Sequence, residues 1–266
     1  MYWKILLPLW LLPAFSLCSC SVKEDRTVCP CVLELDFSGT DGDLLDSLSV
    51  SVLNGGELQH LAFVSAGRYG ETYRIEVNKS MLMLNVYGFA GDSGVMWTAM
   101  TRHRSGIDIP QGDECPPVYL YSAAVDARAE LHREKVVMRK NFCTVGITMV
   151  SEGECPFILE IDGNVSGYGP DGAPVLGRFI FSPDTDDAGR CSVRIPRQTD
   201  GSLRLRISDD DGVLRDFALG EYIIESGYDW TADDLEDVEI AVDYAKTGIT
   251  FRIRDWEETI EFDIII

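Results

Sequence analysis

Carboxylates, imidazoles, thiols and aromatic rings are the groups in this chain that could do chemistry, and their spacing narrows what each could do. His60, His103 and His132 stand far apart and none lies in an HExxH segment, so the commonest zinc-hydrolase pattern is missing. Gly91-Asp92-Ser93-Gly94 has an order in which a nucleophilic serine can be presented. Val95 follows it, however, and no segment built around a catalytic histidine precedes it, so a turn between strands accounts for it. P-loop and GxSxG segments are absent. Asp184-Thr185-Asp186-Asp187 and Asp209-Asp210-Asp211 offer oxygens to calcium, but neither completes an EF-hand loop. Solvated turns that keep edge strands soluble are expected instead. Carboxylates are plentiful enough for a glycosidase pair, yet nothing singles one pair out. Tyr168, Tyr222, Tyr228, Trp230 and Trp256 are the rings that could stack on a sugar, although core packing is the usual fate of such residues.

The N-terminus is more informative. Residues 1–19, MYWKILLPLWLLPAFSLCS, carry one positive charge at Lys4, then an apolar stretch from Ile5 to Leu17 broken by Pro8 and Pro13. That stretch is too short for a permanent membrane span and has the form of a cleavable secretory signal. Leu17-Cys18-Ser19-Cys20 resembles a bacterial lipobox, with an aliphatic residue at −3, a small one at −1 and cysteine at +1. Cys18 fits that role worse, because Leu17 would then occupy the small position. The resemblance implies cleavage between Ser19 and Cys20 and diacylation of the Cys20 thiol. Two acyl chains hold a protein stably in a bilayer where one is marginal. Lys23-Glu24-Asp25 resembles the short charged tag that carries lipoproteins of Bacteroidetes to the outer face of the outer membrane, which is the expected location.

Of the 8 cysteines, Cys18 would leave with the signal and Cys20 would carry lipid. Cys29, Cys31, Cys115, Cys143, Cys155 and Cys191 remain as candidate disulfide cysteines in an exported chain, with the pairing left open. Zinc is not expected, since Cys29-Pro30-Cys31 lacks CxxC spacing and no second close pair exists. No metal and no cofactor are expected. Asp and Glu total 44 against 23 Lys and Arg, a formal charge of −21, so the surface repels phosphate backbones and nucleic acid is not an expected partner. A chain that is 45% hydrophobic and 25% charged has the composition of a folded protein.

The elements that must position these groups are strands. Apolar residues recur with period two in Leu33–Phe37, Leu48–Val52, Tyr73–Val77, Val193–Ile195, Leu203–Ile207, Ile249–Ile253 and Ile260–Ile264, and Met81–Phe89 is a more buried run. Asn54-Gly55-Gly56 and Asp209-Asp210-Asp211-Gly212 are hairpin signals. Helical signals are confined to Ser122–Arg133 and a single turn at Ala232–Glu236. Punctuation by Gly, Asp, Asn and Ser every 8–15 residues predicts an all-β chain of two antiparallel β-sandwich domains in tandem. The expected divisions are a signal at 1–19, a lipidated segment at 20–31, and sandwiches at 32–128 and 129–266.

Two flanking segments carry a family resemblance. The first is Cys20-Ser-Val-Lys-Glu-Asp-Arg-Thr-Val-Cys29-Pro30-Cys31 before an alternating strand. The second runs from Leu219-Gly220-Glu221-Tyr222-Ile223 through Gly227-Tyr228-Asp229-Trp230 and Asp234-Leu235-Glu236-Asp237-Val238-Glu239-Ile240 to Val242-Asp243-Tyr244-Ala245 and Asp255-Trp256. Together they resemble the FimB-like fimbrial anchor family of Bacteroidia. The resemblance implies transthyretin-like sandwiches, a non-enzymatic lipoprotein at the base of a type V pilus, and a fimbrial shaft subunit as partner through strand complementation. In such pili a protease removes a subunit's first strand and a neighbour's strand fills the groove. Here Ser38–Leu48 contains no Arg or Lys, so a trypsin-like protease has nothing to cut, and the nearest basic residue, Arg26, lies before the strand. The expectation is a subunit that keeps its first strand and ends assembly. Ile260–Ile266 is expected to be the last strand of the second sandwich rather than a donor strand. A surface glycan-binding lipoprotein and a fimbrial tip or accessory subunit are the alternatives, with a carboxylate-dependent hydrolase behind them.

Overall fold

The computed structural model describes residues 29–90, 106–150, 157–209, 212–243, 248–253 and 256–261. Cys20 with its lipobox, Lys23, Glu24, Asp25, Gly91–Gly94, His103, Cys155 and the last five residues lie outside them.

The first sandwich is built from β1 (Cys31–Asp36), β2 (Ser47–Asn54), β3 (Glu57–Ser65), β4 (Tyr73–Val77), β5 (Met81–Phe89), β7 (Val118–Asp126), β8 (Leu131–Lys135) and β9 (Arg139–Lys140), with β6 (Ile107–Asp108) between β5 and β7 in the chain. One sheet has the order β4-β1-β8 and the facing sheet β3-β2-β5-β7-β9. The second sandwich holds β10 (Phe142–Val150), β11 (Ile158–Tyr168), β12 (Pro174–Phe181), β13 (Arg190–Pro196), β14 (Arg204–Asp209), β15 (Gly212–Phe217), helix α1 (Leu219–Glu225), β16 (Val238–Asp243), β17 (Gly248–Ile253) and β18 (Trp256–Glu261). Its sheets run β13-β10-β16-β17-β18 and β12-β11-β14-β15, with β6 added beside β11. The all-β, two-sandwich expectation therefore holds, and β18 is the edge strand of the second sandwich.

Period-two patterning has its usual cause. Leu48, Val50 and Val52 alternate along β2, all fully buried, and meet Leu33, Leu35 and Phe37 in the first core. The hairpin from β2 to β3 turns on Gly55 (φ 56°) and Gly56 (φ 89°), a left-handed pair that glycine adopts at little cost. The signal at Asp209–Gly212 likewise joins β14 to β15, with Asp209 paired to Gly212.

The structure corrects three local expectations. Ser122–Arg133 is not helical: it contributes to β7, which pairs with β5 from Met81↔Asp126 to Phe89↔Val118, and to β8. Cross-strand pairing overrides helix-friendly composition there. The 128/129 boundary also misplaces β8, which pairs in parallel with β1 inside the first sandwich; the sheets divide after Lys140. Ala232–Glu236 is not helical, with bends at residues 232–234, and the helix is α1, whose Leu219 and Ile223 are buried.

The two sandwiches share a joint. Tyr87 and Phe89, on the outer face of β5, belong to the second sandwich's core cluster. The tip between β11 and β12 lies against them: Tyr87 Oη donates to Gly169 O (2.6 Å), Ser122 Oγ to Asp171 O (2.6 Å) and Asn85 Nδ2 to Pro170 O. A Cβ on Gly172 (φ +77°) would come within 2.8 Å of Ser122 Cβ, so the approach requires glycine. Gly167-Tyr168-Gly169-Pro170-Asp171-Gly172 has GxGxxG spacing, but it links two antiparallel strands and presents no helix N-terminus to a pyrophosphate.

Candidate functional site

The loop from Ser38 to Leu45 is tied down. Asp36 Oδ1 accepts from Ser38 N (2.9 Å), Thr40 N donates to Phe37 O (2.8 Å), and Asp41 Oδ1 accepts from Asp43 N (2.9 Å). Leu45 is buried, and its carbonyl accepts from Tyr69 Oη (2.8 Å).

Ahead of that loop, β1 occupies the centre of its sheet. Its residues pair antiparallel with β4 from Cys31↔Val77 to Leu35↔Tyr73, and parallel with β8 from Val32↔Leu131 to Asp36↔Lys135. Cys31, Leu33 and Leu35 point inward with 0% exposure, so the strand is held by two rows of backbone hydrogen bonds and an apolar face. Glu34 stands on the opposite face, level with Arg74 on β4 and Arg133 on β8. Arg74 Nε donates to Oε1 (2.8 Å) and Arg133 Nε to Oε2 (2.7 Å), leaving the residue 8% exposed. The Arg133 hydrogen bond, with that of Arg74 behind it, holds the Glu34 carboxyl below the usual glutamate range. Asp36 is lowered by the Ser38 N–H, and Asp126 is held down to about 2 by Arg128.

All three carboxyls titrate lower folded than unfolded, so each stabilises the fold above its unfolded pKa and loses that contribution as pH falls through the folded value. The midpoint of urea unfolding is therefore expected to drop between about pH 4 and pH 2. Glu34→Gln should be weaker than wild type at neutral pH and should decline less on acidification.

The proposed sugar-stacking rings are elsewhere engaged. Tyr168, Tyr228 and Trp230 are 1%, 8% and 6% exposed, which makes them core and corrects the stacking-platform expectation for those three. Tyr222 is half-buried on α1, and the side chain of Trp256 lies outside the description. Tyr228 and Trp230 rings meet edge-on at 4.7 Å. Within the second flanking segment, residues Trp230 to Asp237 clamp the passage between sandwiches. Asp234 Oδ1 accepts from Lys140 N (2.8 Å) and its Oδ2 from Arg139 Nη1 (2.9 Å), while Asp237 Oδ1 accepts from Lys140 Nζ (2.6 Å) and Thr144 N (2.7 Å). Arg197 completes it from β13's end, donating to Asn141 Oδ1, to Trp230 O and to Ala232 O (2.8 Å). Sequence reasoning missed Arg197 and Glu34. An arginine in Pro-Arg-Gln and a glutamate in an alternating strand give no local signal of such partners.

His60 bonds Tyr73 Oη (3.1 Å) and His132 bonds Glu134 (2.8 Å), two separate pairs. Asp186 caps its own turn, accepting from Ala188 N (2.9 Å) and Arg190 N (2.7 Å). Among the described residues no group of His, Cys, Asp or Glu could hold a metal ion.

Cys29, Cys31, Cys115 and Cys143 are free thiols. Cys143 pairs with Ile195 on one edge of β13, whereas Cys115 N bonds Arg194 O (3.2 Å) on the other. Two strand spacings, roughly 10 Å, separate them, beyond disulfide reach without backbone movement. Burial pushes the Cys143 thiol up to about 12 and Cys115 higher still. Iodoacetamide should alkylate exposed Cys29 in the folded chain and reach Cys115 and Cys143 only after unfolding, as followed by peptide mass spectrometry.

No family model matches this sequence, and no curated protein matches it. Solved structures do. A candidate polysaccharide-binding protein from Bacteroides thetaiotaomicron aligns with TM-score 0.64 at 12% identity, covering 87% of this chain and 98% of its own. The fimbrial anchor protein Mfa2 from Porphyromonas gingivalis aligns at 0.57 and 10% identity, covering 86% and 99%. A candidate adhesin from Bacteroides thetaiotaomicron aligns at 0.55 and 14%, covering 88% and 99%. At these identities the likeness is one of fold, and this chain shares that fold along nearly the whole length of each.

Proposed function

We propose that this protein is a lipid-anchored fimbrial subunit of the outer membrane that attaches a fimbria to the cell and ends its assembly, acting by structure rather than catalysis. The observation that carries the reading is the seat of β1. The strand fills the central slot of the first sandwich between β4 and β8, and the loop behind it offers a trypsin-like protease no Arg or Lys from Ser38 to Leu48. A subunit whose slot is filled by its own strand has no groove for a neighbour's, so a filament built by strand complementation stops at it. Acylation at Cys20, eleven residues ahead of β1, would tie that strand to the bilayer. Likeness in fold to the anchor protein Mfa2 supports the same reading.

A strain lacking this protein is expected to shed long fimbriae into the medium, and Cys20→Ala should release the protein itself from the outer membrane. Fimbriae of unaltered length and attachment in the deletion strain would overturn the anchoring role. Loss of a tip component with attachment intact would assign the tip role instead.

A further inference from the structure

We propose that Glu34 is the residue by which the central slot of the first sandwich accepts its own strand and discriminates against a foreign one. The inference rests on the reading that this subunit keeps β1, and it names what enforces that retention. The two walls of the slot each present one arginine at the same level, Arg74 from β4 and Arg133 from β8, and the strand between them supplies a single carboxylate. Each carboxylate oxygen takes one guanidinium Nε, at 2.8 and 2.7 Å. Both arginine side chains are largely exposed, at 67% and 74%, while the glutamate side chain they enclose is 10% exposed. An empty slot therefore keeps two hydrated cations at its mouth, and they become neutralised only by an acid on the incoming strand at this level.

Register follows from the same contact. A one-residue slip would turn Leu33 and Leu35 outward and Glu34 inward among their core neighbours, such as Leu48 and Ile75, which no carboxylate tolerates unpaired. Slipping by two would bring Val32 or Asp36 to the arginines: the first has no acid, and the second is one methylene shorter. An apolar donor strand of correct alternation can fill the inner face of the slot but leaves Arg74 and Arg133 without their partner. Discrimination thus sits on the outer face, where the strands of a sandwich are otherwise free to vary.

The test uses the full mature chain, refolded from urea with an excess of a fluorescent peptide of residues 32–37, or of the same peptide carrying Glu34→Gln. Trapped peptide is measured by gel filtration. Wild type should trap little of either, because its own strand competes at high effective concentration. The Glu34→Gln chain should trap the glutamate peptide roughly tenfold more than the glutamine peptide, as expected for charge-assisted hydrogen bonds. Should that chain fail to refold, the Arg74→Gln/Arg133→Gln chain gives the complementary result: its preference for the glutamate peptide should vanish or reverse. Equal trapping of both peptides by the Glu34→Gln chain, or an unchanged preference in the double-arginine variant, overturns the proposal. Neither result depends on fimbrial shedding, so this inference and the anchoring role can fail separately.

Discussion

Leu35→Ala should lower the stability of the first sandwich by about 2–5 kcal/mol, the cost of truncating a fully buried leucine and leaving a cavity. Leu35 is 0% exposed and packs in a cluster with Leu33, Phe37, Leu48, Val50 and Ile75. Its backbone sits opposite Tyr73 on one side and Glu134 on the other, so the strand cannot shift to refill the space without breaking register with both neighbours. Urea unfolding should show an earlier midpoint at unchanged slope. Val32→Ala, on the half-buried outer face of the same strand, should cost about 1 kcal/mol or less. Under the proposed anchoring role, a loosened β1 would leave an apolar groove between β4 and β8, and cells carrying Leu35→Ala should hold fimbriae less tightly or let them overgrow. Equal effects of Leu35→Ala and Val32→Ala on the midpoint would mean that β1 is not seated as described.

Trp230→Ala should cost about 3–5 kcal/mol in the second sandwich, the range for a large buried aromatic. Trp230 is 6% exposed, stacks edge-on against Tyr228, and offers its carbonyl to Arg197. Its loop also places Asp234 and Asp237 on Arg139, Lys140 and Thr144, so losing the ring loosens the passage between sandwiches as well as the core. Trp230→Phe should be far milder. It keeps most of the apolar surface and removes an indole N–H that is buried without a hydrogen-bond partner. Thermal unfolding of the two variants beside wild type separates ring packing from polar cost. A Trp230→Phe chain as damaged as Trp230→Ala would contradict the packing argument.

Much of this fold was legible in the chain before any coordinates. Leu33–Phe37, Leu48–Val52, Tyr73–Val77 and Met81–Phe89 alternate or run apolar because each strand buries at least one face, and that pattern is written within a few residues. Both hairpin signals, at Asn54-Gly55-Gly56 and Asp209–Gly212, are equally local. Two of the misreadings share one cause. Ser122–Arg133 has helix-friendly residues, but five cross-strand pairs of Ser122–Asp126 with β5 and the parallel pairing of β8 with β1 outweigh that preference.

The site was legible only in part. The sequence by itself determined an acidic, all-β chain with a first-strand loop free of Arg and Lys, because those properties belong to residue types at short spacing. Tertiary structure alone decided that β8 closes the second edge of β1, that Arg133 reaches Glu34 across 99 residues, that Tyr228 and Trp230 lie in the core, and that Asp234 and Asp237 bond the passage between the sandwiches. Contacts of that kind arise from which strands lie side by side. Sheet order is set by how two apolar faces close over a common core, a condition satisfied by the whole chain at once and by no segment of it alone.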